Sequence, residues 1–185
     1  MQYATELSTV GLETIAQMAE EARGDIDYIY LHWSAGRYGQ VFSDYHISID
    51  YDGRIYLPYD CRNLTVYRSH TWQRNSRAIG IALCAAYGAK ANNGWNCDFG
   101  SQPVTDAQIE AMSLVVATIC KHAGIPLDHV LTHCEAAIED DYGPGSGDPE
   151  TRWDLWFLKD YDGVMKPGGS VIRGKAQWYL LNTKL

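Results

Sequence analysis

Three adjoining segments of the sequence limit the possible folds: an apolar strand, a capped helix and a second apolar strand follow one another. Residues 79–84, Ile-Gly-Ile-Ala-Leu-Cys, form the near-continuous apolar run expected of a strand buried on both faces. Apolar residues at helical spacing over 105–123 follow a capping box led by Thr105 and end at Gly124. An apolar strand at 130–132 comes next. This order predicts a right-handed crossover between parallel strands, and therefore an α/β domain with a mixed sheet.

The segments before this crossover predict a helix and a hairpin. Apolar residues repeat at helical spacing over 12–22, and Gly24 stands where a helix C-cap is expected. Two strand-like runs, 45–50 and 54–57, are joined through Tyr51-Asp52-Gly53. Asp-Gly between two such runs is a strong hairpin signal.

The length of the chain indicates one domain. A chain of 185 residues can bury one core well and is too short for two comfortable domains. We therefore predict a single α/β domain over 1–185, with a mixed central sheet flanked by helices. Within the tail, 159–185, the residues Lys166-Pro167-Gly168-Gly169-Ser170 predict a loop, and 176–181 predicts a short element packed on the domain as a C-terminal extension.

Charge argues against two classes of partner. The formal net charge is -8 and there is no basic run. Nucleic acids and anionic membrane surfaces are both bound through clustered Lys and Arg, so neither is expected here. No apolar stretch approaches the length of a membrane span, so we also expect no membrane insertion. The oligomeric state is left open.

The five cysteines do not predict a structural zinc site. They stand at positions 61, 84, 97, 120 and 134, without any CxxC spacing. Cys61 and Cys97 lie in predicted loops, where a disulfide between them stays open.

Two histidines end predicted strands. His32 closes Tyr28-Ile29-Tyr30-Leu31, and His133 closes Val130-Leu131-Thr132. A histidine in such a position is more often a hydrogen-bonded core or rim residue than a ligand. Asp148 before Pro149 is likewise what an ordinary turn contains. Taken singly, these residues do not establish a metal site.

Five separated motifs together resemble the zinc-dependent N-acetylmuramoyl-L-alanine amidases, the family that includes phage lysozyme-amidases, bacterial autolysins and animal peptidoglycan recognition proteins. In chain order the motifs are Leu31-His32-Trp33-Ser34-Ala35, then Tyr45-His46-Ile47-Ser48-Ile49-Asp50-Tyr51-Asp52-Gly53-Arg54-Ile55-Tyr56, then Ser69-His70 with Asn75 and Ala78-Ile79-Gly80-Ile81, then Thr132-His133-Cys134-Glu135, and finally Gly147-Asp148-Pro149 with Arg152-Trp153-Asp154. The ordered set spans roughly 25–158, and such a set is specific.

The resemblance implies a fold, a reaction and a metal site. It predicts a peptidoglycan recognition protein-like fold and hydrolysis of the amide between N-acetylmuramic acid and L-alanine in peptidoglycan. It identifies His32, His133 and Asp148 as ligands of a catalytic Zn²⁺ whose fourth position holds water. Cys134 is a softer donor, but it directly follows His133, and consecutive strand residues face opposite ways.

The resemblance also implies roles around the metal. Tyr45 matches the position that donates a hydrogen bond to the oxyanion. Some members carry a proton-shuttling glutamate or lysine where this chain has Ala82 and Ser146, which leaves Tyr45, Glu135 and Glu150 as alternatives.

His70 and Trp72 are the predicted substrate contacts, because aromatic faces pack against sugars and stem-peptide methylenes. The expected partner is therefore peptidoglycan or a muropeptide.

Two other classes of function remain open: a non-catalytic peptidoglycan-binding module, and a zinc hydrolase of another amide. The presence of all three ligand types argues against a module that only binds. A hydrolase of another amide would use the same ligands, so only the cleft can distinguish it. Residues 1–6 lack the basic and then apolar pattern of a secretory signal. The location is thus left open, with a protein made in the cytoplasm and reaching the cell wall after release or export as the expectation.

Overall fold

A mixed six-stranded sheet forms the centre of the computed structural model, which describes residues 2–4, 6–148 and 151–185. The elements in chain order are β1 (Leu7–Val10), α1 (Leu12–Glu21), β2 (Tyr28–Trp33), β3 (Ile47–Ile49), β4 (Ile55–Pro58), β5 (Ala78–Leu83), α2 (Asp106–Ala123), β6 (Val130–Thr132), α3 (His133–Glu139), β7 (Phe157–Lys159), β8 (Met165–Pro167) and α4 (Gly168–Asn182).

The sheet has the strand order β1-β4-β3-β5-β2-β6. Strands β3, β5, β2 and β6 run parallel, whereas β4 pairs antiparallel with β3 and β1. Helix α2 connects β5 to β6, and β2 lies between those two strands. The predicted crossover and mixed α/β sheet are therefore confirmed.

The two faces of the central strands differ in side-chain size. On one face, Ile79, Ile81 and Leu83 of β5 join the main core with residues of α1 and α2. On the other face β5 presents only Ala78, Gly80 and Ala82, because side chains alternate along a strand. The small residues leave room on that face for imidazoles from neighbouring segments.

The predicted helix and hairpin signals act as expected, with one shift. Thr105 caps α2 through a reciprocal capping box, and Gly124 ends it at φ 79°. Gly53 in the β3–β4 turn has φ +83°, a conformation that glycine adopts without strain. Helix α1 ends earlier than predicted: its C-cap is Ala22, and Gly24 lies two residues beyond.

The loop predicted at residues 166–170 is wrong, since that segment is the end of β8 and the start of α4. Close backbone approach explains its glycines: a Cβ on Gly168 would lie 2.0 Å from the carbonyl oxygen of Leu155, and a Cβ on Gly169 would lie 2.4 Å from the Glu135 carboxylate. Strands β7 and β8 form a separate two-stranded sheet, and α4 packs along α2.

Two further findings bear on the expectations. Cys61 and Cys97 are free thiols, as are Cys84, Cys120 and Cys134. Within the described part of the chain, no helix combines the length and apolar character needed to cross a membrane.

Candidate metal centre and its cleft

His32 lies at the C-terminal end of β2, on the face where β5 carries small residues. Its neighbour in register on β5 is Ala82, which is buried and offers no more than a methyl group. The imidazole is fully buried beneath the cleft. Burial holds the pKa of His32 below its usual range, so the ring is neutral and its nitrogens can bind a metal ion.

His133 is the first residue of α3 rather than the last of a strand. Thr132 ends β6 and caps α3 through a reciprocal capping box with Glu135. This tight strand-to-helix junction aims the His133 ring at His32, and the two ring centroids lie 4.7 Å apart.

The expectation that consecutive residues after His133 face opposite ways, as they do in a strand, is therefore wrong, because Cys134 and Glu135 are helical. The Glu135 carboxylate accepts from the Thr132 backbone N–H at 2.8 Å and from two nitrogens of Arg173 at 2.7 and 2.8 Å. Glu135 thus fixes the start of α3 and faces α4. Cys134 is buried, and its N–H donates to the Asp154 carbonyl.

Asp154 completes a buried group of three potential metal ligands. Its Oδ2 lies 2.9 Å from His32 Nδ1, and its Oδ1 lies 3.0 Å from His133 Nδ1. Burial by itself would raise the pKa of Asp154, but the adjacent His133 and His32 rings outweigh burial and hold it below its ordinary value. The group is therefore a carboxylate between two imidazoles.

The packing of its neighbours places Asp154. Trp153 packs edge-on against Trp33 with centroids 5.1 Å apart, and Leu155 is completely buried in the main core. Leu155 adopts φ 59°, a left-handed conformation that costs a non-glycine residue about 1–2 kcal/mol. Burial of the Leu155 side chain can offset that cost, since a fully buried leucine contributes about 1.5–3 kcal/mol.

The structure does not place Asp148, the third ligand expected from the sequence, in this group, whose carboxylate is that of Asp154. Asp148 is exposed; its backbone N–H donates to Ser146 Oγ at 3.1 Å, and its side chain lines the outer cleft beside His133. The glycine-rich turn before Asp148 could bring either the Asp148 carboxylate or the Asp154 carboxylate, six residues later, to the two histidines. The apolar residues on either side of Asp154 favour the return of Asp154 to the core. Glu150 lies outside the described residues.

The donor set and spacing fit zinc. Two imidazole nitrogens and a carboxylate oxygen lie within 4.8 Å of one another. Tetrahedral zinc with bonds of about 2.1 Å places its ligand atoms roughly 3.4 Å apart, close to the separations of 2.9 and 3.3 Å from Asp154 Oδ2 to the two histidines.

A threonine that sequence reasoning missed links His32 to His70. Thr71 Oγ1 lies 3.3 Å from His32 Nε2 and 2.9 Å from His70 Nδ1. A hydroxyl both donates and accepts, so it can pair with either tautomer of His32. With Nδ1 bound to a metal ion, the ring proton would be on Nε2, and the Nε2–H group would donate to Thr71 Oγ1.

His70 is buried under the cleft, against the glycine of β5. A Cβ on Gly80 would lie 2.5 Å from His70 Cγ, so no larger residue fits there. Burial, followed by the charges of the neighbouring histidines, holds the pKa of His70 well below its usual range. Its backbone N–H donates to the Asn75 side chain at 2.9 Å, which fixes the loop that carries it.

Tyr45 lies in the bend just before β3 and not within the predicted strand. It is buried, with its ring centroid 5.0 Å from that of His32, and burial raises its pKa. The phenol is therefore protonated at neutral pH and able to donate.

Two adjoining clefts of about 430 and 670 Å³ open above these residues. They share Ser69, His70, His133 and Arg152. Trp72 is 58% exposed on the wall of the smaller cleft and packs edge-on against Tyr142 at 5.5 Å. Tyr142 and Arg152 also line the clefts. Arg152 belongs to the last sequence motif but had no predicted role, and nothing in its local sequence distinguishes Tyr142.

Comparison with known proteins gives a family match. The sequence model of the N-acetylmuramoyl-L-alanine amidases matches residues 22–149. No curated protein matches the chain. The endolysin N-acetylmuramoyl-L-alanine amidase LysCS from Clostridium intestinale is 18% identical, with a TM-score of 0.42 over 72% of this chain and 76% of that chain. Drosophila PGRP-LB is 16% identical, with a TM-score of 0.44 over 82% of this chain and 90% of that chain. Identities this low transfer no residue role.

Proposed function

Since the chain belongs to the N-acetylmuramoyl-L-alanine amidase family, we propose that it hydrolyses the amide between N-acetylmuramic acid and L-alanine in peptidoglycan, using zinc bound by His32, His133 and Asp154. The observation that carries this proposal is the buried group of two imidazoles and one carboxylate at the base of an open cleft. A structural zinc site would instead be closed by a fourth protein ligand.

Bound zinc would supply a water of lowered pKa and polarise the amide carbonyl. The protein holds the ligands in place for this chemistry. The capping box at Thr132 positions His133, the packing of Leu155 positions Asp154, and the Thr71 hydroxyl would accept a hydrogen bond from the Nε2–H group of metal-bound His32. Ligand partners of this kind orient the donors of metal sites.

Tyr45 donates a hydrogen bond to the developing oxyanion. Its buried, protonated phenol lies beside His32 and lines the larger cleft together with Asp154. A donor that is held in place before the reaction stabilises charge that appears only in the transition state. Of the three alternatives for moving the proton, Glu135 is engaged by Arg173 on the α4 side, and the protonated Tyr45 phenol can donate toward the oxyanion or the leaving nitrogen but does not take a proton from water.

His70 and Trp72 hold the substrate. Trp72 offers an exposed aromatic face to sugar or stem-peptide carbons, and His70 lies at the junction of the two clefts. Both clefts are open, so an extended muropeptide can pass across the metal site.

The first experiment is mass spectrometry of purified peptidoglycan after incubation with zinc-loaded protein. We expect free stem peptides beginning with L-alanine, and none after treatment with a chelator or with the His133→Ala variant. His122→Gln is the control, since His122 lies on α2 and pairs with Glu20. Retained binding to peptidoglycan without peptide release would instead indicate a binding module.

The second experiment identifies the third ligand. We expect Asp154→Asn to lose stoichiometric zinc by elemental analysis and to lose hydrolysis, while Asp148→Asn retains zinc. The two variants remove the same charge six residues apart, so they control for each other. Loss of zinc in Asp148→Asn alone would reinstate the ligand set expected from the sequence.

A further inference from the structure

A third cavity, of about 550 Å³, lies between α2, α4 and the β7–β8 turn. The cavity is lined by Glu110 of α2, by residues of α4, and by Asp160, Tyr161 and Lys166. Except for Glu110, all of these residues follow the family match at 22–149. Within the described residues, this cavity shares no lining residue with the two catalytic clefts.

Exposed aromatic rings border this cavity. Trp178 is 58% exposed and Tyr161 is 86% exposed. Tyr179 packs edge-on against Trp178, with ring centroids 5.3 Å apart. Aromatic rings with one face packed and one face open provide flat apolar platforms beside polar groups.

The side chains that line the cavity carry balanced charges. Lys166 Nζ lies 2.5 Å from Asp160 Oδ2, and Lys175 pairs with Glu110. Glu110 also accepts a hydrogen bond from the Tyr179 hydroxyl. The two ammonium groups and two carboxylates of the lining cancel, and Asp162, whose Oδ2 lies 3.4 Å from Lys166 Nζ, adds a carboxylate beside the cavity, so the cavity has no excess positive charge with which to attract an anion. The carboxylates keep unused acceptor positions, and the ammonium groups keep unused donors.

A neutral ligand with many hydroxyl groups and an apolar ring face fits this combination. We propose that the cavity binds N-acetylated amino sugars of the cell-wall glycan, with a sugar ring stacked on Trp178 and its hydroxyls paired with Glu110 and Asp160. The choice of glycan rests on the proposed function. A second contact on the same polymer raises the effective concentration of glycan at the catalytic cleft.

The test uses the tetramer of N-acetylglucosamine, which carries no stem peptide, and measures its binding by titration calorimetry. We expect saturable binding to the intact protein and an affinity about five- to tenfold lower in Trp178→Ala. Trp178→Phe keeps an aromatic face and should recover part of that loss. Trp95→Ala is the matched control, because Trp95 is 59% exposed and lies outside the cavity.

Three results would overturn the inference. The first is no saturable binding, and the second is unchanged affinity in Trp178→Ala. The third is a loss confined to Trp72→Ala, which would place the sugar in the catalytic cleft. Binding needs no hydrolysis, so a protein that binds the tetramer but releases no stem peptide would refute the proposed function and leave this inference intact. A protein that releases stem peptides but does not bind the tetramer would refute this inference and leave the proposed function intact.

Discussion

Among single residues, Thr71 is the hydrogen-bonding partner that orients the His32 ring through its hydroxyl. We expect Thr71→Val, which keeps the shape and removes the hydroxyl, to weaken zinc binding about 10- to 100-fold. The measurement is competition with a chelator of known affinity. Thr118→Val is the control, since Thr118 bonds only to the Leu114 carbonyl within α2 among the described contacts. Equal zinc affinity in both variants would show that Thr71 does not position His32.

Tyr45 is expected to affect turnover without affecting the metal. Tyr45→Phe removes one oxyanion donor, which typically lowers kcat about 100- to 1,000-fold. Zinc content should stay stoichiometric, because the hydroxyl is not part of the ligand group. Tyr59→Phe, at an exposed tyrosine, is the control. A fully active Tyr45→Phe enzyme would leave the oxyanion to zinc alone.

At the scale of elements, β5 can carry only a very small residue at its third position. Gly80→Ala places a methyl carbon 2.5 Å from His70 Cγ, and we expect a loss of about 1–3 kcal/mol in the free energy of unfolding. Gly174→Ala in α4 meets open space and should gain about 0.5–1 kcal/mol. Urea unfolding of both variants tests these two expectations. An unchanged free energy of unfolding in Gly80→Ala would mean that the loop carrying His70 can shift to accommodate the methyl group.

Elements whose signals are local could be predicted from the sequence. The capping box of α2, the Asp-Gly hairpin and the apolar run of β5 each contain their own evidence within a few residues. The start of α3 was missed because Thr132 continues an apolar run and also caps a helix. Asp154 was missed because its position depends on where Trp153 and Leu155 pack, and that packing involves strands distant in sequence.

At the scale of the whole molecule, a buried histidine makes stability depend on pH. His46 accepts from the Gly80 N–H at Nδ1 and donates to the Val66 carbonyl from Nε2, so the folded state holds it neutral. Burial lowers its pKa from 6.5 to about 4. Between pH 6.5 and about 4, His46 is therefore protonated in the unfolded chain and neutral in the folded chain. The free energy of unfolding decreases as the pH falls through this range.

A shift of this size corresponds to about 3 kcal/mol over that window, to order of magnitude. We expect the urea midpoint to fall between pH 6.5 and 4, and to fall less in His46→Gln, which keeps a donor and an acceptor without titrating. His122→Gln should follow the unaltered protein. An identical pH profile for His46→Gln would show that other groups, such as His70, cause the loss.

The alternation of large and small residues along β5 has a consequence for the tolerance of this strand to mutation. Ile79, Ile81 and Leu83 face the helices, whereas Ala78, Gly80 and Ala82 lie on the face that carries the histidines. Substitutions at alternate positions of β5 should therefore affect different properties of the protein. In a saturation library scored separately for protein abundance and for peptidoglycan hydrolysis, polar substitutions at the first set should deplete folded protein. Enlargements at Ala82 should instead lower hydrolysis more than abundance, so the two scores should diverge at this position and agree at its neighbours Ile81 and Leu83.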